Sequence, residues 1–141
     1  MKKIMMKIIG KQASDGQDDQ MEFITEGELY ERGDALYLMY EESEISGMPG
    51  CKTRLKIKGD YISMKRLGTK TIPAGTEMEF APGKVFTGPY DTPYGSFEME
   101  VVTNTIENTL TPEGTGSVLI DYKMSLKGLV ESHNQLSIEM L

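Results

Sequence analysis

The chain has 141 residues, a formal net charge of −7, 38% apolar and 26% charged side chains, and one cysteine and one histidine. That length suits one domain, expected over 1–141, which buries about 68–70% of its unfolded surface without disulfides or metals. The charge argues against a body that binds nucleic acid or anionic membrane, and Cys51 with His133 cannot by themselves form a disulfide or a Cys/His zinc site.

Lys2 and Lys3 precede an apolar run that Lys7 interrupts after three residues, too short for a signal-peptide core and far short of a membrane span. An opening β-strand in a cytosolic protein is expected, and the lone cysteine agrees with a reducing compartment. Asp15–Gln20 is a plainly polar loop. Glu22–Arg32 and Ala35–Glu42 flank Gly33-Asp34, a hairpin signal. Cys51–Lys58 alternates basic with inward-type side chains, and Gly59-Asp60 turns it into Tyr61–Leu67. Thr76–Phe80 and Lys84–Gly88 are shorter strand candidates, and Gly88–Gly95 reads as a stiff double turn.

Ser96–Thr111 is the longest stretch free of Gly and Pro, and its many β-branched residues favour strand over helix. It reads as one long bent strand, or as two with a break near Asn104. Val118–Leu126 and Leu136–Met140 complete the series. About 8–10 strands separated mostly by tight turns predict an all-β fold, a closed or nearly closed up-and-down antiparallel β-barrel that removes its sticky edges by closure.

Charge is unevenly spread. Asp15–Glu44 carries −10 and Lys52–Lys70 carries +6. In a meander Ala35–Glu42 and Cys51–Lys58 are neighbours, so these charges pair across strands. The competing use of Lys52, Arg54, Lys56 and Lys58 is an RNA-binding face, but the aromatic stacking platforms of such faces are missing, with only Tyr61 nearby. Nucleic acid is not expected as a partner.

Catalytic motifs are missing as well. Gly83-Lys84-Val85 is not a phosphate-binding loop, and the Asp15–Asp19 acids have the wrong order for a calcium loop. His133, beside Glu131, Ser132 and Asn134, reads as a solvated turn histidine, and Cys51 as a buried inert thiol. No enzyme, cofactor or metal site is expected.

Strand parity says more about the interior. If Leu55 and Ile57 point inward, so does Thr53; if Ile62 and Met64 do, so does Arg66; if Val118, Ile120 and Met124 do, so does Tyr122. An inward guanidinium needs a partner. That partner is either a carboxylate such as Glu41 or Glu42, or a bound anion. Thr53, Arg66 and Tyr122 are therefore the candidate ligand-binding residues.

A series of short motifs runs through most of the chain: Tyr40-Glu41-Glu42, Thr53 with Lys56, Met64-Lys65-Arg66-Leu67-Gly68, Phe80 and Gly83. It continues through Tyr90-Asp91-Thr92-Pro93-Tyr94-Gly95, Thr103, Ile106, Ile120-Asp121-Tyr122 and Asn134-x-Leu136-x-Ile138. In this order the motifs resemble the YwiB-like family of bacterial proteins of unknown function. The resemblance implies a calycin-like (lipocalin-like) barrel and brings no activity, cofactor or catalytic residue. The Gly47-Met48-Pro49-Gly50 turn departs from the family's usual pattern.

Two functional expectations follow. One is a non-catalytic barrel holding a small, partly apolar or anionic ligand. The other is a structural or interaction module with a filled barrel that contacts a partner or a second copy of itself.

Overall fold

The computed structural model describes residues 2–14, 16–41, 52–66, 76–92, 95–126 and 130–141. Ten strands form one antiparallel sheet: β1 (Lys2–Ser14), β2 (Gln17–Arg32), β3 (Ala35–Glu41), β4 (Lys52–Lys58), β5 (Tyr61–Arg66), β6 (Thr76–Phe80), β7 (Val85–Thr92), β8 (Gly95–Asn108), β9 (Ser117–Leu126) and β10 (Val130–Met140). Their order is β6-β5-β4-β3-β2-β1-β10-β9-β8-β7, so each strand pairs with its chain neighbour and β1 meets β10. This is the expected up-and-down barrel, nearly closed.

Closure falls between β6 and β7, the two ends of that order. Instead of a continuous ladder there, the turn joining them docks on β8. Ala81 N–H donates to Thr103 Oγ1 at 3.2 Å, Gly83 N–H to the Thr103 carbonyl at 3.2 Å, and Thr103 N–H to the Lys84 carbonyl at 3.4 Å. One threonine thus satisfies three main-chain groups that an open edge would leave to water.

Parity sets the core. Leu55 and Ile57 are buried while Lys56 and Lys58 are exposed, as the alternation of β4 requires. Cross-strand rows repeat the pattern: Leu36–Ile57–Ile62–Phe80 and Leu38–Leu55–Met64–Met78 are buried throughout. Each such side chain stabilises the fold by about 1.5–3 kcal/mol relative to exposure. Gly27 belongs to the same inner face; the Met6 side chain occupies the space its missing Cβ leaves. The turns at Gly33 (φ 63°) and Gly59 (φ 59°) carry the left-handed residue that two-residue hairpins need. Across the first of them Tyr30 and Tyr37 stack at 5.0 Å on the outer face.

Three segments depart from the sequence reading. Gln17–Gln20 is not loop but the start of β2, because the β1–β2 hairpin continues to the pair Ser14–Gln17 and keeps its polar end exposed. Gly88–Thr92 is not a double turn but part of β7, paired with Gly95–Met99. Pro89 is tolerated because β7 ends the sheet. His133 lies not in a turn but within β10, opposite Lys123 on one side and Ala13 on the other. The long stretch after Gly95 is one strand, and its register slips between Thr103 and Thr105, where Asn104 forms the expected bend. Glu42, Cys51 and the 47–50 turn lie outside the described residues.

Candidate functional site

The register converts parity into rings of side chains. One inner row runs Asp19–Gln12–Asn134–Tyr122–Thr103 across β2, β1, β10, β9 and β8. On the other side of the barrel Tyr40, Thr53 and Arg66 align across β3, β4 and β5. The row next to the first reads Met21–Gly10–Leu136–Ile120, and the row next to the second reads Leu38–Leu55–Met64–Met78. Beyond these rows the interior is apolar and packed: Ile8, Phe23, Val118 and Ile138 form one buried row.

Where polar rows meet apolar ones, a cavity of about 410 Å³ remains. Arg66, Tyr90, Tyr122, Asn134 and Gln135 contribute polar groups to it, Met21, Met78, Met124 and Leu136 contribute apolar surface, and the exposed Lys11, Gln12, Asp19 and Gln20 line its open side. The Met21 side chain lies over Gly10, where a Cβ would stand 3.0 Å from Met21 Cε. Two other hollows, of about 390 and 430 Å³, surround the tip of the β1–β2 hairpin. Their walls are mostly exposed polar residues such as Asp18 and His133, so they are surface features.

Of the three residues singled out from sequence, Arg66 and Tyr122 face the cavity together. Thr53 is fully buried beside Arg66 and forms wall, not lining. Glu41, considered as a partner for Arg66, is on the outer face, opposite Lys52. The parity of β3 turns it away, because Tyr40 takes the inward position. Burial pushes the Tyr122 phenol above its ordinary range; the Arg66 charge pulls the other way and Tyr90 adds to the rise. Tyr122 therefore keeps its proton at neutral pH and can donate a hydrogen bond. Its ring packs on Phe80, centroids 4.8 Å apart.

Tyr90 and Asn134 were missed from sequence. Pro89 concealed the strand carrying Tyr90. Ser132 and Asn134 interrupt the apolar parity of β10; both are buried, and Asn134 Nδ2 donates to Ser132 Oγ at 3.0 Å.

On the outside of the same wall, Asp121 accepts three hydrogen bonds. Asn104 Nδ2 donates to Oδ1 at 2.9 Å and Gln135 Nε2 to Oδ2 at 2.8 Å, and His133 Nε2 lies 2.6 Å from Oδ1. Burial raises this carboxyl, but the hydrogen bonds outweigh it and bring the pKa down to about 2. The cluster ties β8, β9 and β10 together at the bulge.

The basic strand finds acids around it. Lys58 Nζ lies 2.8 Å from Asp34, Lys52 faces Glu41, and Lys65 faces Glu77. Among the described residues, no group of three or more His, Cys, Asp or Glu side chains is placed to hold a metal ion. No described helix is long and apolar enough to cross a membrane.

These features define an all-β protein, a nearly closed barrel of ten antiparallel strands with a half-open hollow walled by both polar and apolar side chains. Residues 6–138 match the family described as "Domain of unknown function (DUF1934)", and the chain belongs to that family. The crystal structure of the ywiB protein from Bacillus subtilis superposes with a TM-score of 0.74 at 21% identity, covering 99% of this chain and 93% of that one. The two share a fold, as the YwiB-like motifs implied. No curated protein matches the chain.

Proposed function

We propose that this protein is a non-catalytic cytosolic barrel that holds one small, partly apolar or anionic molecule and uses no cofactor. The observation that carries the reading is the hollow of about 410 Å³ at one end of the barrel, faced by Arg66 and Tyr122. Its size falls in the range of about 300–1,000 Å³ usual for small-ligand sites, and its lining combines polar side chains with apolar ones. Lipocalin-like barrels of this size accommodate one small ligand in the same way. Thermal denaturation against a panel of neutral and anionic small molecules tests the reading. A ligand at about 100 times its Kd adds about 2.7 kcal/mol to stability, which is easily seen as a rise in Tm. A panel with no stabilising member, apolar or anionic, would sink it.

A second reading, a protein-interaction module that pairs with a second copy, is favoured by one feature. Met5 and Ile24 are 45% and 60% exposed on the outer face of β1 and β2. They are diagonal neighbours, since Met5 pairs with Glu26 and Lys7 with Ile24. Sedimentation at two concentrations decides it: a dimer lost in Ile24→Glu supports the module, and a monomer throughout removes it.

A further inference from the structure

We propose that the outer face of β4 and β5 carries an anion site for one phosphate group, built from Arg54, Lys56, Ser63 and Lys65. The site is separate from the hollow at the end of the barrel: the two share no lining residue and lie on opposite faces of the sheet.

The first argument is register. Lys52 and Lys58, at the two ends of β4, have acids beside them, Glu41 and Asp34. The middle of the strand has none directly opposite. On its β3 side Arg54 faces Met39 and Lys56 faces Tyr37; on its β5 side Arg54 faces Lys65 and Lys56 faces Ser63. A cation directly opposite a cation destabilises a ladder, and Lys56, the diagonal neighbour of Lys65, adds a third positive charge. Among the described residues, no ion pair takes Arg54, Lys56 or Lys65. A chain of net charge −7 thus gathers three cations at one place. An anion seated among them turns that repulsion into charge-assisted hydrogen bonds.

The second argument is shape and donor chemistry. These four side chains, with Tyr37 and Glu77, line a hollow of about 190 Å³. That is below the about 300–1,000 Å³ of sites that enclose a drug-sized molecule, so the hollow suits one ionic group. Directly opposite side chains start about 4.5–5.5 Å apart and diagonal ones about 7–8 Å, close enough for long Arg and Lys side chains to converge on one tetrahedral ion. The half-buried Arg54 offers a fork of donors, the two lysines add point charges, and Ser63 adds a hydroxyl. A phosphate ester carries about −1.5 to −2 at pH 7, which matches three cations set against the single acid Glu77.

The third argument is the boundary. Glu79, opposite Ser63, accepts a hydrogen bond from Tyr61 at 2.7 Å, which ties it to the start of β5. Glu41, Asp34 and Glu77 limit the positive ground on three sides. One phosphate fits within that ground, and a nucleic-acid strand finds no continuous track across it.

The test is calorimetry with inorganic phosphate, phenyl phosphate and an oligouridine in a low-salt buffer free of other phosphate. At least one of the two small phosphates should bind one-to-one. Arg54→Gln and Lys65→Gln should each weaken it about 10-fold, as expected for the loss of one charge-assisted hydrogen bond. Lys58→Gln should leave it unchanged, because that lysine belongs to Asp34 and does not line the hollow. Lys65→Gln should also keep or raise the urea midpoint of the empty protein, since it removes a repulsion. Phenyl phosphate binding tighter than inorganic phosphate identifies an organic phosphate whose body lies on Tyr37; equal or weaker binding identifies the free ion. No binding of either small phosphate overturns the site. So does equal weakening by Lys58→Gln, which would mean diffuse attraction to the whole strand. Oligouridine binding far more tightly than both, with a steep salt dependence, would overturn it in favour of a nucleic-acid face.

Discussion

Phe80 and Tyr122 pack ring to ring at 4.8 Å with an interplanar angle of 57°, one on β6 and the other on β9. β6 is one end of the sheet order and β9 lies two strands from the other end, so this contact bridges the interior across the closure. It also connects the packed half of the barrel to the cavity, since Phe80 is fully buried and Tyr122 lines the open space.

Phe80→Ala should therefore cost about 3–5 kcal/mol, the usual effect of emptying a buried aromatic site. Tyr122→Phe keeps the ring and should change stability little. Urea denaturation of both variants measures the difference. Equal losses would mean that the Tyr122 hydroxyl, not its ring, holds the closure.

Thr103→Val is a nearly isosteric change at a residue only 2% exposed. It removes the hydroxyl that accepts the Ala81 N–H and leaves that donor without its bond. A cost of about 1–3 kcal/mol is expected, with faster hydrogen exchange concentrated in the Ala81–Lys84 turn. Uniform exchange across the barrel would contradict the role of Thr103 as the closing residue.

Asp121 sets an acid limit. Its carboxyl falls from the ordinary 3.8 to about 2 because three hydrogen bonds outweigh burial. A folded pKa below the unfolded one means stability that is fully present above about pH 4 and lost as pH falls through about 2. The loss should be about 1–2 kcal/mol after allowance for solvent screening. Asp121→Asn should show less acid dependence across that window, as measured by urea midpoints at pH 2–5. An unchanged profile would show that other carboxylates carry the acid sensitivity.

At Gly27 a Cβ would collide with Met6 Cε and stand 2.8 Å from the Met39 carbonyl oxygen. Met6 can move, but the main-chain oxygen of the paired strand cannot move far. Gly27→Ala should destabilise by about 1–3 kcal/mol, the usual range for overpacking. A Tm equal to the wild type would mean that the β2–β3 ladder yields there.

The basic outer face of β4 should not bind RNA tightly. Asp34 and Glu41 stand against its Lys58 and Lys52 and Glu77 against Lys65 of β5, and −13 of charge lies outside Lys52–Lys70. Filter binding at two salt concentrations checks this. Tight binding that falls steeply with salt and disappears in the double variant Lys56→Glu, Lys58→Glu would reverse it.

Much of the architecture was legible because a strand's period of two is a local property. Leu55 and Ile57 inward with Lys56 and Lys58 outward, Arg66 and Tyr122 on the inner face, and the bend at Asn104 all follow from neighbouring residues alone. Reading failed where that period was masked. Ser132 and Asn134 occupy inward positions of β10 and made the stretch around His133 look like a turn; Pro89 did the same for β7. Polar residues look solvated in sequence, but here they line a cavity or satisfy each other.

By itself the sequence determined the all-β class, the meander and the inner and outer faces, because hairpin turns and alternation act over a few residues. Only the tertiary structure decided which inward residues meet. Arg66 and Tyr122 come from β5 and β9, and they share a cavity because closure curves the sheet until its two ends face each other. Asp121, Asn104, His133 and Gln135 meet because the register of three strands, with one residue of slip at Asn104, aligns them on the outer face. Such long-range register depends on the sum of all the pairings around the barrel, which no short stretch of the chain contains.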